Sequence, residues 1–386
     1  MRCLWDIIAY LVRCLIELKI ACVGYWIDQA SFRVAGITFP QWLRYLQGNV
    51  GLLSPKYIHR IVFITLMSLV NSVFAILEDV LFRRKIEQQA LLPPVFILGH
   101  PRTGTTHLHN ILSADKNFGY VTTFQAGFPN AFLLLERFTF LFLWLIDSKR
   151  PMDNLPLNFS TPAEDEIAVN LIAHGLSPYA SLSFMSRYRH YLRYCTFEDC
   201  PEDSLLWIQA FLWFLKKVSF ACGGKRLVIK SPVHMGRLKI LLKLFPKSHF
   251  VFIHRDCVKV FQSSVHMAQT YFSYCYLTRA SNQDITSYIL EQHKLLYKAY
   301  LEDRDSIPPG ALCEISFDEL ERDASGTLEK IYNTFGWDNV ADTKLRLRQY
   351  LCQLENFQKN DHMKLDSHLL KRVQSSCQFV MKRYGE

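Results

Sequence analysis

The sequence is short of charge. Only 20% of its 386 residues are Asp, Glu, Lys or Arg, while half are hydrophobic. A disordered chain shows the reverse balance, so disorder is excluded. Glycine and proline, at 16 and 15 residues, stand near ordinary usage and exclude collagen-like and low-complexity chains. There is no CxxC pair and no Cys/His spacing of a zinc site. The 11 cysteines are odd in number and form no disulfide framework; they read as reduced, mostly buried thiols. No charge-free stretch with a small-residue cleavage site opens the chain. Residues 1–27 instead carry Arg2, Asp6, Arg13, Glu17 and Lys19, which argues against a secretory signal peptide. There is no internal repeat. The basic residues neither form a run nor interleave with aromatics, so nucleic acid is not an expected partner.

Aromatic residues are abundant, with 28 Phe, 18 Tyr and 7 Trp, and this load leans toward contact with a membrane. The net charge of 44 − 35 = +9 suits an anionic ligand or an anionic membrane surface. Spaced charges make residues 1–27 an expected amphipathic helix. Residues 61–77 then run without a charge, closed by Glu78-Asp79 and Arg83-Arg84-Lys85. A spanning helix needs about 20 apolar residues. This run is shorter and contains Thr65, Ser68, Asn71 and Ser72. A single span, a helix lying in the membrane interface and a helix packed on the protein's own core all remain open. Leu91-Leu92-Pro93-Pro94 marks the expected boundary between a hydrophobic, helical, membrane-associated region (1–90) and a catalytic domain (91–386). Two further apolar stretches, 131–146 and 205–215, are expected as core, or else as a lipid-facing surface or substrate channel.

After the boundary the pattern becomes α/β. Residues 95–98, 226–229 and 249–253 are short apolar runs, each followed by a helical stretch. Alternation of this kind predicts a parallel sheet flanked by crossover helices. The first run leads into Gly99-His100-Pro101-Arg102-Thr103-Gly104-Thr105-Thr106 and then a helix. A glycine-rich turn between strand and helix cradles phosphate, because backbone N–H groups and the helix N-terminus converge on it. The glycine spacing is that of the Walker A loop, but Thr105 stands where its lysine belongs. A nucleotide-cleaving kinase or ATPase needs that lysine. The basic residue here is Arg102, inside the loop. The third run ends at Arg255, with Ser263 eight residues on, and the two can meet on a further phosphate.

These segments resemble the sulfotransferases that use 3′-phosphoadenosine 5′-phosphosulfate, and most closely the broad, predominantly bacterial group with a hydrophobic N-terminal region. The loop resembles their 5′-phosphosulfate loop, and Arg255 with Ser263 matches their 3′-phosphate pair. Further matching segments are Pro151-Met152-Asp153-Asn154, Pro162-Ala163-Glu164-Asp165-Glu166 and Lys230–His234. The resemblance implies a P-loop-type three-layer α/β fold. It implies donor binding by Arg102, Thr103, Gly104, Thr105, Thr106, Arg255 and Ser263, with Arg102 and Lys230 as the catalytic cations and no metal. The acceptor's proton needs a general base. Relatives place a histidine two residues after the lysine, but Pro232 stands there. Glu166 and His234 are the two candidates, with Glu164 or Asp165 assisting. Lys359, Asn360 and His362 lie where relatives close the nucleotide site. The expected activity is sulfuryl transfer to a hydroxyl, less readily an amine, of a lipophilic acceptor at a membrane. That membrane would be a bacterial one, met at its cytoplasmic face, or an endomembrane. A small-molecule kinase and an inactive nucleotide- or lipid-binding protein are the alternatives.

Overall fold

The structure, a computed structural model, describes residues 32–338, 340–354 and 365–385. The helix expected over 1–27 and the polar segment at Lys359–His362 lie outside these residues. Five parallel strands form one sheet: β1 (Val95–Leu98), β2 (Phe118–Tyr120), β3 (Arg226–Lys230), β4 (His249–His254) and β5 (Leu312–Ser316), in the order β2-β3-β1-β4-β5. The three inner strands are the three apolar runs of the sequence. They read as unbroken apolar runs because helices cover both faces of a parallel sheet. The alternating residues of β1 show it: Phe96 and Leu98 enter one hydrophobic cluster, Val95 and Ile97 the other.

The two outer strands were not legible. β2 has three residues and contains Gly119, and β5 alternates buried Cys313 and Ile315 with part-exposed neighbours. Neither carries the signature of a strand buried on both faces. Because the order reverses direction around β1, the loops after β1, β3 and β4 open on a common crevice at the carboxyl ends of the strands.

Two helices border this crevice and the core behind it. Helix α1 (Ile58–Gln88) holds the charge-free run, and helix α2 (Thr105–Ser113) follows β1. Phe63, Met67 and Phe74 of α1 are buried in the same cluster as Phe96 and Leu98 of the sheet. Its polar residues also turn inward. Arg60 donates to the backbone carbonyls of Ser273 and Tyr276, and Asn71 to that of Ile37. Glu78 pairs with Lys217, both side chains being 3% exposed. Helix α1 is thus fastened along its length to the part of the chain that carries the sheet. Of the two apolar stretches, 205–215 lies on the helix Pro201–Ala221, which buries Trp207, Phe211 and Phe214. The 131–146 stretch divides, with Phe132 and Phe142 in the core and Phe140 and Leu143 exposed.

The Glu78–Lys217 pair makes the fastening testable. Burial raises the Glu78 carboxyl and lowers the Lys217 ammonium, and their mutual attraction opposes both shifts. Lys217→Met leaves a buried carboxylate without its cation, an expected loss of about 3–5 kcal/mol in denaturant unfolding. Adding Glu78→Leu to it recovers most of that loss.

Candidate active site

The phosphate loop joins β1 to α2. Gly104, the residue before α2, has φ +96°, and a Cβ there would lie 2.3 Å from the Phe317 ring. Only glycine meets both conditions. Arg102 has φ +74°, a conformation that costs a non-glycine residue energy and marks a functional turn. It puts the guanidinium on the crevice side. Thr103 is fully buried, and both its N–H and its hydroxyl donate to the His100 carbonyl. Its hydroxyl therefore shapes the loop and is not aimed into the crevice. Thr105 and Thr106 open α2, where unpaired backbone N–H groups and the helix dipole favour an anion.

The expected phosphate pair comes together beside this loop. Arg102 donates through Nε to Ser263 Oγ at 2.9 Å, and Arg255 through Nη1 to the Arg102 carbonyl at 3.2 Å. The Arg255 guanidinium lies over the Phe317 ring at 4.1 Å, and its buried Nε has no hydrogen-bond partner. Ser263 lies on the helix Cys257–Thr270 that follows β4, as the eight-residue spacing predicts. The Asp153 carboxylate sits on Arg102 Nη1 at 2.9 Å, so Arg102 already holds one anion. Burial pushes the Asp153 carboxyl up, but Arg150 and Arg102 outweigh it and hold it below its ordinary value.

The acidic triplet behaves differently from its expectation. Its three carboxylates take three separate partners from the end of β3 and the segment that follows it. Glu164 Oε1 accepts from Lys230 Nζ at 2.7 Å. Asp165 Oδ2 meets His234 Nε2 at 2.9 Å. Glu166 receives both Arg237 Nη atoms, at 2.7 and 2.9 Å. Successive residues at a helix start point about 100° apart, so one alone faces the crevice. That one is Glu164, which precedes the helix Asp165–Ile172.

Glu166 is fully buried and also takes hydrogen bonds from Ser177 Oγ and Trp207 Nε1. His234 is fully buried between the Phe96 and Phe211 rings. Burial pushes the Asp165 carboxyl up, yet the attraction and hydrogen bond of His234, with Ser231, leave it below its ordinary value. Neither Glu166 nor His234 reaches the crevice. Both expected base positions thus lie away from it, each side chain held by a buried partner. Glu164, which the sequence offers only as an assistant to Glu166, is the member of the triplet that lines both cavities.

Two cavities meet at Glu164. Both are lined by Thr106, Arg150, Met152, Glu164 and Tyr271. One extends over the loop past Pro101, Arg102 and Thr105. The other reaches Lys230 and has a largely apolar wall that includes Leu145, Ile146, Leu155 and Leu157. Lys230 Nζ also lies 3.3 Å from Thr106 Oγ1, so cation, hydroxyl and carboxylate converge where the cavities join. Burial lowers the Lys230 pKa from its ordinary 10.5, and Glu164 opposes the shift. No group of three or more metal-binding side chains occurs among the described residues.

Residues 93–342 match the sequence model described as the sulfotransferase family. The chain belongs to that family. It is 30% identical over 340 residues to the omega-hydroxy-beta-dihydromenaquinone-9 sulfotransferases of Mycobacterium bovis and Mycobacterium tuberculosis, covering 87% of this chain and 87% of each relative. Its fold is that of the solved sulfotransferases STF1 of Mycobacterium tuberculosis and STF9 of Mycobacterium avium. These match with TM-scores of 0.66 and 0.64 at 16% identity; the match covers 95% and 94% of this chain and 97% of each of theirs. The expected α/β fold and sulfuryl-transfer activity are therefore borne out.

In this sulfotransferase Glu166 is paired with the buried Arg237, and the expected weight of that pair is structural. Glu166→Gln leaves the buried Arg237 guanidinium without its counter-charge, and about 3–5 kcal/mol of unfolding free energy should be lost. Equal stability of variant and wild type in guanidinium denaturation would contradict this assignment.

Proposed function

We propose that this sulfotransferase takes 3′-phosphoadenosine 5′-phosphosulfate as donor and a hydroxyl on a lipophilic, membrane-borne molecule as acceptor. The observation that carries the reading is the convergence of Lys230, Thr106 and Glu164 at the junction of a phosphate-loop cavity with an apolar one. The residues fit such a donor. The Arg255 Nε is buried and unpartnered, and the Asp153 carboxylate on Arg102 is an internal stand-in for an anion. The mycobacterial relatives act, by their names, on a hydroxylated menaquinone. That class of acceptor fits a cavity with this apolar wall, and we place the enzyme, with its hydrophobic N-terminal region 1–90, at a membrane.

When bound, the donor supplies an SO₃ group joined to its phosphate by a bridging oxygen. The loop amides, Thr105 and Thr106 hold that phosphate. Arg255 and Ser263 hold the 3′-phosphate, and Arg102 exchanges Asp153 for the donor. Glu164 takes the proton of the acceptor hydroxyl as its oxygen bonds to sulfur. The sulfur–bridging-oxygen bond breaks, and the negative charge left on that oxygen is met by Lys230 and Thr106.

Two outcomes test the assignment. Glu164→Gln should lower kcat by about 10²–10⁴-fold while leaving the affinity for adenosine 3′,5′-bisphosphate, read by calorimetry, unchanged. Arg255→Ala should weaken that same affinity. Full turnover in the first variant would remove Glu164 as the base; full affinity in the second would remove the 3′-phosphate site. The pH profile adds a third. Only the charged Lys230 meets the leaving oxygen, and burial sets its pKa below 10.5. The value of kcat/KM, which reports the free enzyme, should therefore fall as pH rises, and this limb should lie below pH 10.5. Lys230→Arg should move the limb upward, since arginine keeps its charge.

A further inference from the structure

Helix α1 is built inside out for a helix at a protein surface. Every exposed residue between positions 61 and 80 is apolar: Val62, Leu66, Leu69, Val73, Ile76 and Val80. Their spacing of three and four residues draws one stripe along the helix. The polar and charged residues Arg60, Ser68, Asn71 and Glu78 are buried against the domain instead. A surface helix facing water has the opposite arrangement. Scattered exposed apolar residues need no explanation, but a continuous face does.

We propose that this face of α1 lies in the plane of an anionic lipid bilayer and sets the mouth of the apolar cavity against it. Three observations favour a bilayer as the occupant. The first is fastening. Arg60 and the buried Glu78–Lys217 pair tie both halves of α1 to the catalytic domain, so α1 is offered along its side and not end-on. The second is charge. Exposed Lys56 precedes the stripe, and exposed Arg84 and Lys85 follow it, which suits anionic headgroups. The third is continuity with the cavity. Phe63 of α1 meets the Trp144 ring at 6.0 Å, next to the cavity-lining Leu145 and Ile146. On the other side, Arg60 holds the carbonyls of Ser273 and Tyr276, beside the lining residues Tyr271 and Tyr274. Leu143 and Phe140, 57% and 62% exposed, extend the apolar surface along this rim. A hydrophobic acceptor passes from lipid into the cavity without crossing water. This last step rests on the reading of that cavity as the acceptor site; the docking face itself does not.

The test uses the full chain and vesicles of phosphatidylcholine, with and without phosphatidylglycerol. Wild-type protein should sediment with the vesicles, more strongly with phosphatidylglycerol and less in high salt. Leu69→Glu/Val73→Glu should weaken this binding by about tenfold or more per residue. Arg84→Glu/Lys85→Glu, which leaves the apolar face intact, should remove the phosphatidylglycerol dependence. With the first double variant, turnover of a short water-soluble alcohol should be unchanged, and turnover of a long-chain alcohol held in vesicles should fall by the same factor as binding. Absence of vesicle binding by the wild type would overturn the proposal, because residues 1–31 or nothing would then cover the face. A dimer in light scattering that Leu69→Glu/Val73→Glu dissociates would overturn it in favour of a second copy. If neither alcohol were turned over while vesicle binding behaved as described, the reading of the apolar cavity as an alcohol acceptor site would fail and the docking face would stand.

Discussion

Three adjacent carboxylates set against a lysine, a histidine and an arginine organise this site. Glu164, Asp165 and Glu166 begin one helix; Lys230 ends one strand, and His234 and Arg237 follow it. Ser231 joins the two segments further, donating to Asp165 and accepting from the Glu166 N–H. Buried ion pairs add little net stability, because desolvation offsets most of the Coulombic attraction. Their effect here is positional. Two pairs are sealed in the interior and fix the register of the two segments. The third is left at the surface of the crevice with its carboxylate and ammonium in place. The two groups proposed to handle the proton and the leaving oxygen are thus positioned by two buried pairs beside them.

The donor side shows the complementary arrangement, a place kept ready for an anion. The loop turns through a strained Arg102 and an obligatory Gly104. Arg102 is occupied by Asp153, and Arg255 keeps a buried Nε unsatisfied. An uncompensated buried donor is costly, and such cost is tolerated where a ligand removes it. Asp153 belongs to the segment that also carries Arg150 and Met152, which line both cavities. The proposed donor entry at Arg102 and the shape of the proposed acceptor cavity are therefore linked through one short stretch of chain.

Much of this was legible in the sequence. The three inner strands, the loop after the first, the residues of the phosphate pair and the strand-end lysine follow from local pattern. Apolar runs, glycine spacing and an eight-residue interval are properties of neighbouring residues. The outer strands were not legible, since Phe118–Tyr120 is too short and Leu312–Ser316 too polar on alternate positions to show a buried parallel strand. The placement of the Thr103 hydroxyl on the His100 carbonyl was not legible either, for a different reason. A hydroxyl in a phosphate loop points either to ligand or to backbone, and composition does not say which.

The choice among Glu164, Asp165 and Glu166 belonged to the tertiary structure alone. By itself the sequence determined that a carboxylate-rich helix start and a cationic strand end exist. It could not say which carboxylate meets which cation, because the partners lie 66 to 71 positions apart. The same holds for helix α1. Its charge-free run was plain, and its length left three placements open. Packing decided that its polar residues face the protein and its apolar stripe faces outward. The physical reason is common to both cases. Local pattern sets which conformation a segment prefers, but which face of it is buried, and against what, is settled only when distant segments compete for the same interior.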